Sequence, residues 1–127
     1  MSESESLIRE FCAAWSRRDI DELLGFFTDD AVYHNMPMGP VQGHDGIRTV
    51  MEFFVPGSSE IDFEILAMTS LSTGDGRATV FTERVDRFVM GDKRVELPVA
   101  GVFEVRAGRI AAWRDYFDLT TWLNQTT

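Results

Sequence analysis

Residues 77–117 read RATVFTERVDRFVM-GDKR-VELPVAGVFEVR-AGR-IAAWRDYF. Three segments in it, Arg77–Met90, Val95–Arg106 and Ile110–Phe117, alternate apolar and polar positions and are rich in Val and Phe. That is the pattern of long strands with one buried face. Gly91-Asp92 and Ala107-Gly108, which separate them, are residues of tight turns. Links this short join antiparallel neighbours, because a parallel return needs a crossover of about a dozen residues. Working back, Ile61–Ser70 reads as a fourth strand, connected through Gly74-Asp75-Gly76.

Before residue 60 the period becomes helical. Leu7, Ile8, Phe11, Cys12 and Trp15 form one stripe over residues 5–17. Asp19 reads as an N-cap with Glu22 three residues on, and Ile20, Leu23, Leu24 and Phe27 form the stripe of a second short helix. Thr28-Asp29-Asp30 breaks that helix. Ala31–Met36 reads as a short strand, ended by Pro37, Gly39 and Pro40. Gly43–Phe54 reads as a third helix, ended by Pro56 and Gly57, and Thr120–Asn124 as a short closing helix. The expected class is α+β: N-terminal helices packed in a curved, mostly antiparallel mixed sheet, forming a cone with an internal pocket. With 127 residues, one domain spanning 1–127 is expected.

Composition narrows the function. Acidic residues number 21 against 12 basic ones, for a net charge of −9, which argues against nucleic-acid and anionic-membrane partners. A single cysteine, Cys12, excludes an intrachain disulfide. No apolar run approaches the roughly 18 residues of a membrane span. The start, Met1-Ser-Glu-Ser-Glu-Ser6, is acidic where a signal peptide is basic, so a cytoplasmic location is expected. His34 and His44 lack ligand spacing and cysteine partners, so no metal is expected. No P-loop, G-x-G-x-x-G or G-x-S-x-G occurs, so neither a nucleotide cofactor nor a hydrolase elbow is expected. Covalent Ser or Cys catalysis would need a paired His, and Cys12 lies on a buried stripe.

The strand faces carry the chemistry. Side chains alternate, so Val80, Thr82, Arg84, Asp86 and Phe88 share one face, and Ala111, Trp113, Asp115 and Phe117 share another. Arg84, Asp86 and Asp115 therefore sit amid apolar faces. A bare buried carboxylate is expensive, and one guanidinium can fork hydrogen bonds to two of them. Two acids and one cation are balanced by one proton, leaving one acid neutral and the other ionised, which is the setting for paired acid and base chemistry. A buried Arg–Asp network can also serve structure alone, the lesser of the two readings on these faces. Glu83 and Arg87, on the opposite face, read as solvated. Tyr33 and Asn35 share a face of the short strand, where hydrogen-bonding groups fit either a structural or a catalytic role, and His34 points away.

The segments Tyr33-His-Asn35-Met-Pro37, Thr82-Glu-Arg84-Val-Asp86 and Trp113-Arg-Asp115-Tyr-Phe-Asp118-Leu resemble the limonene-1,2-epoxide hydrolase family, one of the cone-shaped α+β domains similar to nuclear transport factor 2. The resemblance implies addition of water to an epoxide to give a vicinal diol, without a covalent intermediate. It implies Asp86 as the acid, Asp115 as the base, Tyr33 and Asn35 as holders of the water, and Arg84 as the bridge. It implies no cofactor, a small-molecule epoxide and water as partners, and a homodimer packed through the outer face of the sheet. Phe88, Leu97, Val99, Trp113 and Phe117 are the expected substrate-binding walls, suited to a cyclic or terpene-like epoxide. The loop after the third helix and the turn near Gly74 are longer than the family's, so pocket size is where this chain is expected to differ. The competing readings are a ketosteroid-isomerase-like or polyketide-cyclase-like enzyme using one Asp base, and a non-catalytic ligand-binding module. The bridging Arg argues against the one-Asp scheme.

Overall fold

A computed structural model describes residues 2–127. Ser2 caps helix α1 (Glu3–Ala14): its Oγ accepts from the Glu5 N–H, and Glu3 and Glu5 lie at the positive end of the helix dipole. The helix turns Ile8, Phe11, Cys12 and Ala14 inward. A 3-10 turn over Trp15–Arg17 follows, and Arg18 takes a left-handed conformation that ends it. Asp19 then caps α2 (Ile20–Leu24) by accepting from the Glu22 N–H, as the spacing predicts.

Phe27 does not complete the stripe of α2, and Thr28-Asp29-Asp30 is no helix breaker. All four residues belong to strand β1 (Phe27–Asn35). The register runs from Phe27↔Ile110 to Val32↔Ala112, so extra residues of β1 loop out of the ladder between these pairs. The bulge carries Asp29 and Asp30 outward while Phe27 and Tyr33 both stay buried. A two-residue strand, β2 (Val41–Gln42), was not expected; Pro37, Gly39 and Pro40 turn the chain so that it pairs back on β1. Helix α3 (Gly43–Gly57) runs three residues past its expected end at Phe54 and takes Pro56 into its last turn. There the missing proline N–H forfeits only one bond near the helix end.

The hairpins are as expected: β3 (Glu60–Ser72), β4 (Arg77–Met90), β5 (Lys93–Arg106) and β6 (Arg109–Tyr116) form an antiparallel meander. Ala107 and Gly108 both have positive φ, which matches a tight turn to the twist of its strands. Sheet order is β2-β1-β6-β5-β4-β3, and β1 against β6 is its parallel pair. Helices α1 and α3 pack against the sheet. The closing helix, α4 (Leu119–Thr126), opens one residue before its expected start at Thr120 and runs two past Asn124, because Asp118 accepts from the Thr121 N–H and caps it. Phe11 sits at the centre of the core, edge-on to Trp15, Phe27, Phe103 and Trp113. No helix among the described residues is long and apolar enough to cross a membrane.

Candidate active site

Three strands deliver the polar groups to one cavity. β4 supplies Arg84 and Asp86 two residues apart on its inward face, β6 supplies Asp115, and β1 supplies Tyr33 and Asn35. The parallel pairing of β1 with β6 sets Asn35 directly beside Asp115. β5 lies between β4 and β6 and offers Gly101 opposite both Thr82 and Asp115.

That glycine is what lets the cluster close. A Cβ on Gly101 would collide with Nη1 of Arg84 and would lie 2.8 Å from Oδ1 of Asp115 and 2.9 Å from Oγ1 of Thr82. Arg84, wholly buried, fills this space. Its Nε donates to Asp86 Oδ1 (3.0 Å) and its Nη2 to Asp86 Oδ2 (2.9 Å). The same Nη2 donates to Asp115 Oδ2 (2.9 Å), and Nη1 donates to Thr82 Oγ1 (3.1 Å). Asp115 also accepts from Nε1 of Trp113 through Oδ1 (2.6 Å). The Tyr33 hydroxyl donates to Oδ1 of Asn35 (3.2 Å).

Burial and mutual charge decide the protonation states. Burial opposes the charge on Arg84, but Asp115 and Asp86 more than offset it and hold its pKa well above the usual arginine value. Burial pushes Asp86 up to about 6, against the pull of Arg84 and with a further push from the charge of Asp115. Asp115 is also raised by burial, and Arg84 and the indole N–H of Trp113 counter it. The indole bond favours the ionised form of Asp115 and has no counterpart on Asp86. Tyr33, raised far above its ordinary value by burial and then by the charge of Asp115, keeps its proton. Cys12 is a buried thiol pushed up to about 12 by burial, so it is no nucleophile near neutral pH.

The cavity beside this cluster has a volume of about 330 Å³. Tyr33, Asn35, Asp86 and Asp115 reach it, as do Phe88, Leu97, Val99 and Phe117 from the expected walls. Trp113 does not. It is buried behind the wall, stacked on Phe103 at 5.5 Å, and it touches the site through its stack on Tyr33 at 4.2 Å and its bond to Asp115. Phe11 edge-on and Phe27 and Phe103 stacked against it occupy the space around its ring, leaving none of it open to the cavity. The strand-face reading missed wall residues from outside β4, β5 and β6: Trp15, Phe63, Phe53, Phe54 and Trp122. Phe54 lay on an apolar helix stripe and Phe63 shares inward parity with Ile61, so both had a signal; nothing local marked Trp122. Gly101 had one too, since a glycine inside a strand marks a close approach.

Comparison with known proteins gives a consistent result. The family model described as the limonene-1,2-epoxide hydrolase catalytic domain matches residues 2–127. The chain is 34% identical over 112 residues to epoxide hydrolase EphG of Mycobacterium tuberculosis (strain ATCC 25618 / H37Rv), covering 88% of this chain and 71% of that protein. The solved structure of an M. tuberculosis LEH-like epoxide hydrolase superposes with a TM-score of 0.79 at 30% identity, over 98% of this chain and 92% of the other. Bal32a, from a soil-derived mobile gene cassette, shares the fold at a TM-score of 0.77 and 22% identity, covering 97% of this chain and 95% of its own.

Proposed function

The chain belongs to the limonene-1,2-epoxide hydrolase family and is an epoxide hydrolase, and from that premise we propose that it adds water to small apolar epoxides, cyclic or terpene-like, in one general acid/base step. The observation that carries this reading is Nη2 of Arg84, 2.9 Å from Oδ2 of both Asp86 and Asp115. The guanidinium holds two carboxyl groups at one end of a mostly apolar cavity, and the trio is neutral when the acids share one proton.

An epoxide opens slowly because its oxygen leaves as an alkoxide and water is a weak nucleophile. Asp86 carries the shared proton and gives it to the epoxide oxygen as the C–O bond breaks. Asp115, kept ionised by Arg84 and Trp113, takes a proton from the water whose oxygen bonds to the carbon. Tyr33 and Asn35 orient that water. The trio holds one proton before and after, so a proton returns from Asp115 to Asp86 before the next turnover. One domain, residues 1–127, carries the whole site, and two copies pair through the outer face of the sheet.

The test is diol formation from limonene oxide and cyclohexene oxide by purified protein. Asp86→Asn and Asp115→Asn should each cut turnover by roughly 10²–10⁴-fold, the usual worth of one positioned acid or base. A folded Asp86→Asn or Asp115→Asn protein with near-normal turnover would sink the two-carboxylate scheme.

A further inference from the structure

The walls of the cavity say more about the substrate than that it is apolar. Aromatic residues make up 12% of the chain but eight of the sixteen residues that line this one cavity. Their rings form a connected line. Phe53, 60% exposed, marks the rim and meets Phe54 edge-on at 5.1 Å. Phe54 meets Trp122 at 5.6 Å and 71°, Trp122 meets Phe88 at 5.7 Å and 88°, and Phe88 meets Phe63 at 5.8 Å and 74°. Phe63 ends the line, with its ring centroid 5.4 Å from the guanidinium carbon of Arg84. A series of rings thus runs from solvent to the paired acids.

Aliphatic side chains would exclude water as well. Ring walls add a quadrupole, with negative faces and positive edges, which a saturated guest cannot use and an aromatic guest can. Trp122 already meets Phe54 and Phe88 edge-on, an angle an inserted ring would also adopt. The volume of about 330 Å³ is near the lower end for small-molecule sites, which suits a compact guest rather than a long chain. Resting on the epoxide-hydrolase reading above, we propose that the preferred substrates are epoxides bearing an aromatic ring, seated among Phe54, Phe88 and Trp122 while the oxirane reaches Asp86 and Asp115. The bonds made and broken are those of the general reaction.

The test uses two epoxides of matched shape and intrinsic reactivity, benzyloxirane and cyclohexylmethyl-oxirane. In both, a methylene separates the ring from the oxirane, so neither opening is benzylic. Diol formation by the wild-type protein should favour benzyloxirane in kcat/KM by roughly 5-fold or more, the scale of one or two aromatic contacts. That ratio should fall toward one in Phe54→Leu and in Trp122→Leu, each checked for folding by near-ultraviolet circular dichroism. A wild-type ratio at or below one, or a ratio untouched by both substitutions, overturns the proposal. If cyclohexene oxide is hydrolysed while the matched pair is not discriminated, the aromatic preference fails and the hydrolase reading stands. If none of the three gives diol, both fail.

Discussion

At Gly101 the absence of a side chain is a requirement of the site. Nη1 of Arg84 occupies the place a Cβ would take, so Gly101→Ala must push the guanidinium off its bonds to Asp86, Asp115 and Thr82. Misplacement of a reacting group by about 1 Å can cost on the order of 10²-fold in rate, and overpacking about 1–3 kcal/mol. Gly101→Ala should therefore lower both kcat and the melting temperature; a variant as active as the wild type would show that the guanidinium has slack. A second expectation comes from Asp86. Burial raises its folded pKa to about 6, above its value in the unfolded chain. The folded state then binds this proton more tightly than the unfolded one, so the contribution of Asp86 to stability is fully present at low pH and is lost as pH rises through about 6. The difference in melting temperature between pH 5 and pH 7 (about two units spanning that value) should shrink in Asp86→Asn. In the proposed mechanism the same proton is the one given to the epoxide oxygen, so kcat/KM should fall as pH rises through the same range. Most of these residues were legible one at a time: strand parity placed Arg84, Asp86 and Asp115 inward, because a pleated strand alternates its faces whatever surrounds it. Trp113 shows the limit of parity, which separates inward from outward but cannot tell cavity wall from the layer behind it.

Among the elements, β5 and α4 explain an oddity of the sequence. Pro98 lies in a strand flanked on both sides, a position proline normally avoids. β6 pairs with β5 only from Ala100 onward, so the edge at Pro98 is open on that side. Two residues earlier, Glu96 shows where its polar groups point. Its N–H donates to Oε1 of Gln125 and its C=O accepts from Nε2 of Gln125, both at 2.8 Å. Pro98 has the same parity, so its missing N–H also faces the open edge and nothing is lost. The Gln125 side chain thus completes the ladder and pins α4, which carries Trp122 into the cavity wall. Gln125→Ala should cost about 1 kcal/mol, because water replaces the lost bonds. That corresponds to a fall of about 4 °C in melting temperature. Amide exchange in α4 should quicken, and unchanged exchange there would show that α4 is held by packing alone. The hairpins of β3 to β6 were readable because a turn is a local event, decided by two or three residues. The β1 bulge and β2 were not, since each is stabilised by pairing with a strand distant in sequence or by a contact only two residues long.

For the molecule as a whole, the outer face of the sheet remains partly apolar. Phe81 and Tyr116 are 38% and 46% exposed, and Val102 lies beside Phe81 on β5. The proposed homodimer would cover this face, so light scattering should give twice the chain mass of 14.4 kDa. Phe81→Arg, which sets a charge on that face, should shift the mass toward one copy; a wild-type monomer at micromolar concentration would remove the dimer from the proposal. The high acidity is spread over the surface in ion pairs such as Arg87 with Asp62, Glu64 and Glu96, whose partners are exposed and worth little to stability.

The sequence by itself determined the α+β class, the antiparallel run of β3 to β6, and the pairing of one buried arginine with two buried aspartates. Each follows from local periodicity or from the cost of leaving a charge alone in an apolar face. Only the tertiary structure decided that β1 runs parallel beside β6 and sets Asn35 next to Asp115, that Gly101 yields its space to Arg84, that Trp113 backs the wall, and that rings from the 3-10 turn, α3, β3 and α4 join the cavity lining. Those outcomes depend on which strands and helices meet across long stretches of chain, and side chains acquire a ligand-facing or core-facing role only when packing against such partners fills one side and leaves the other open.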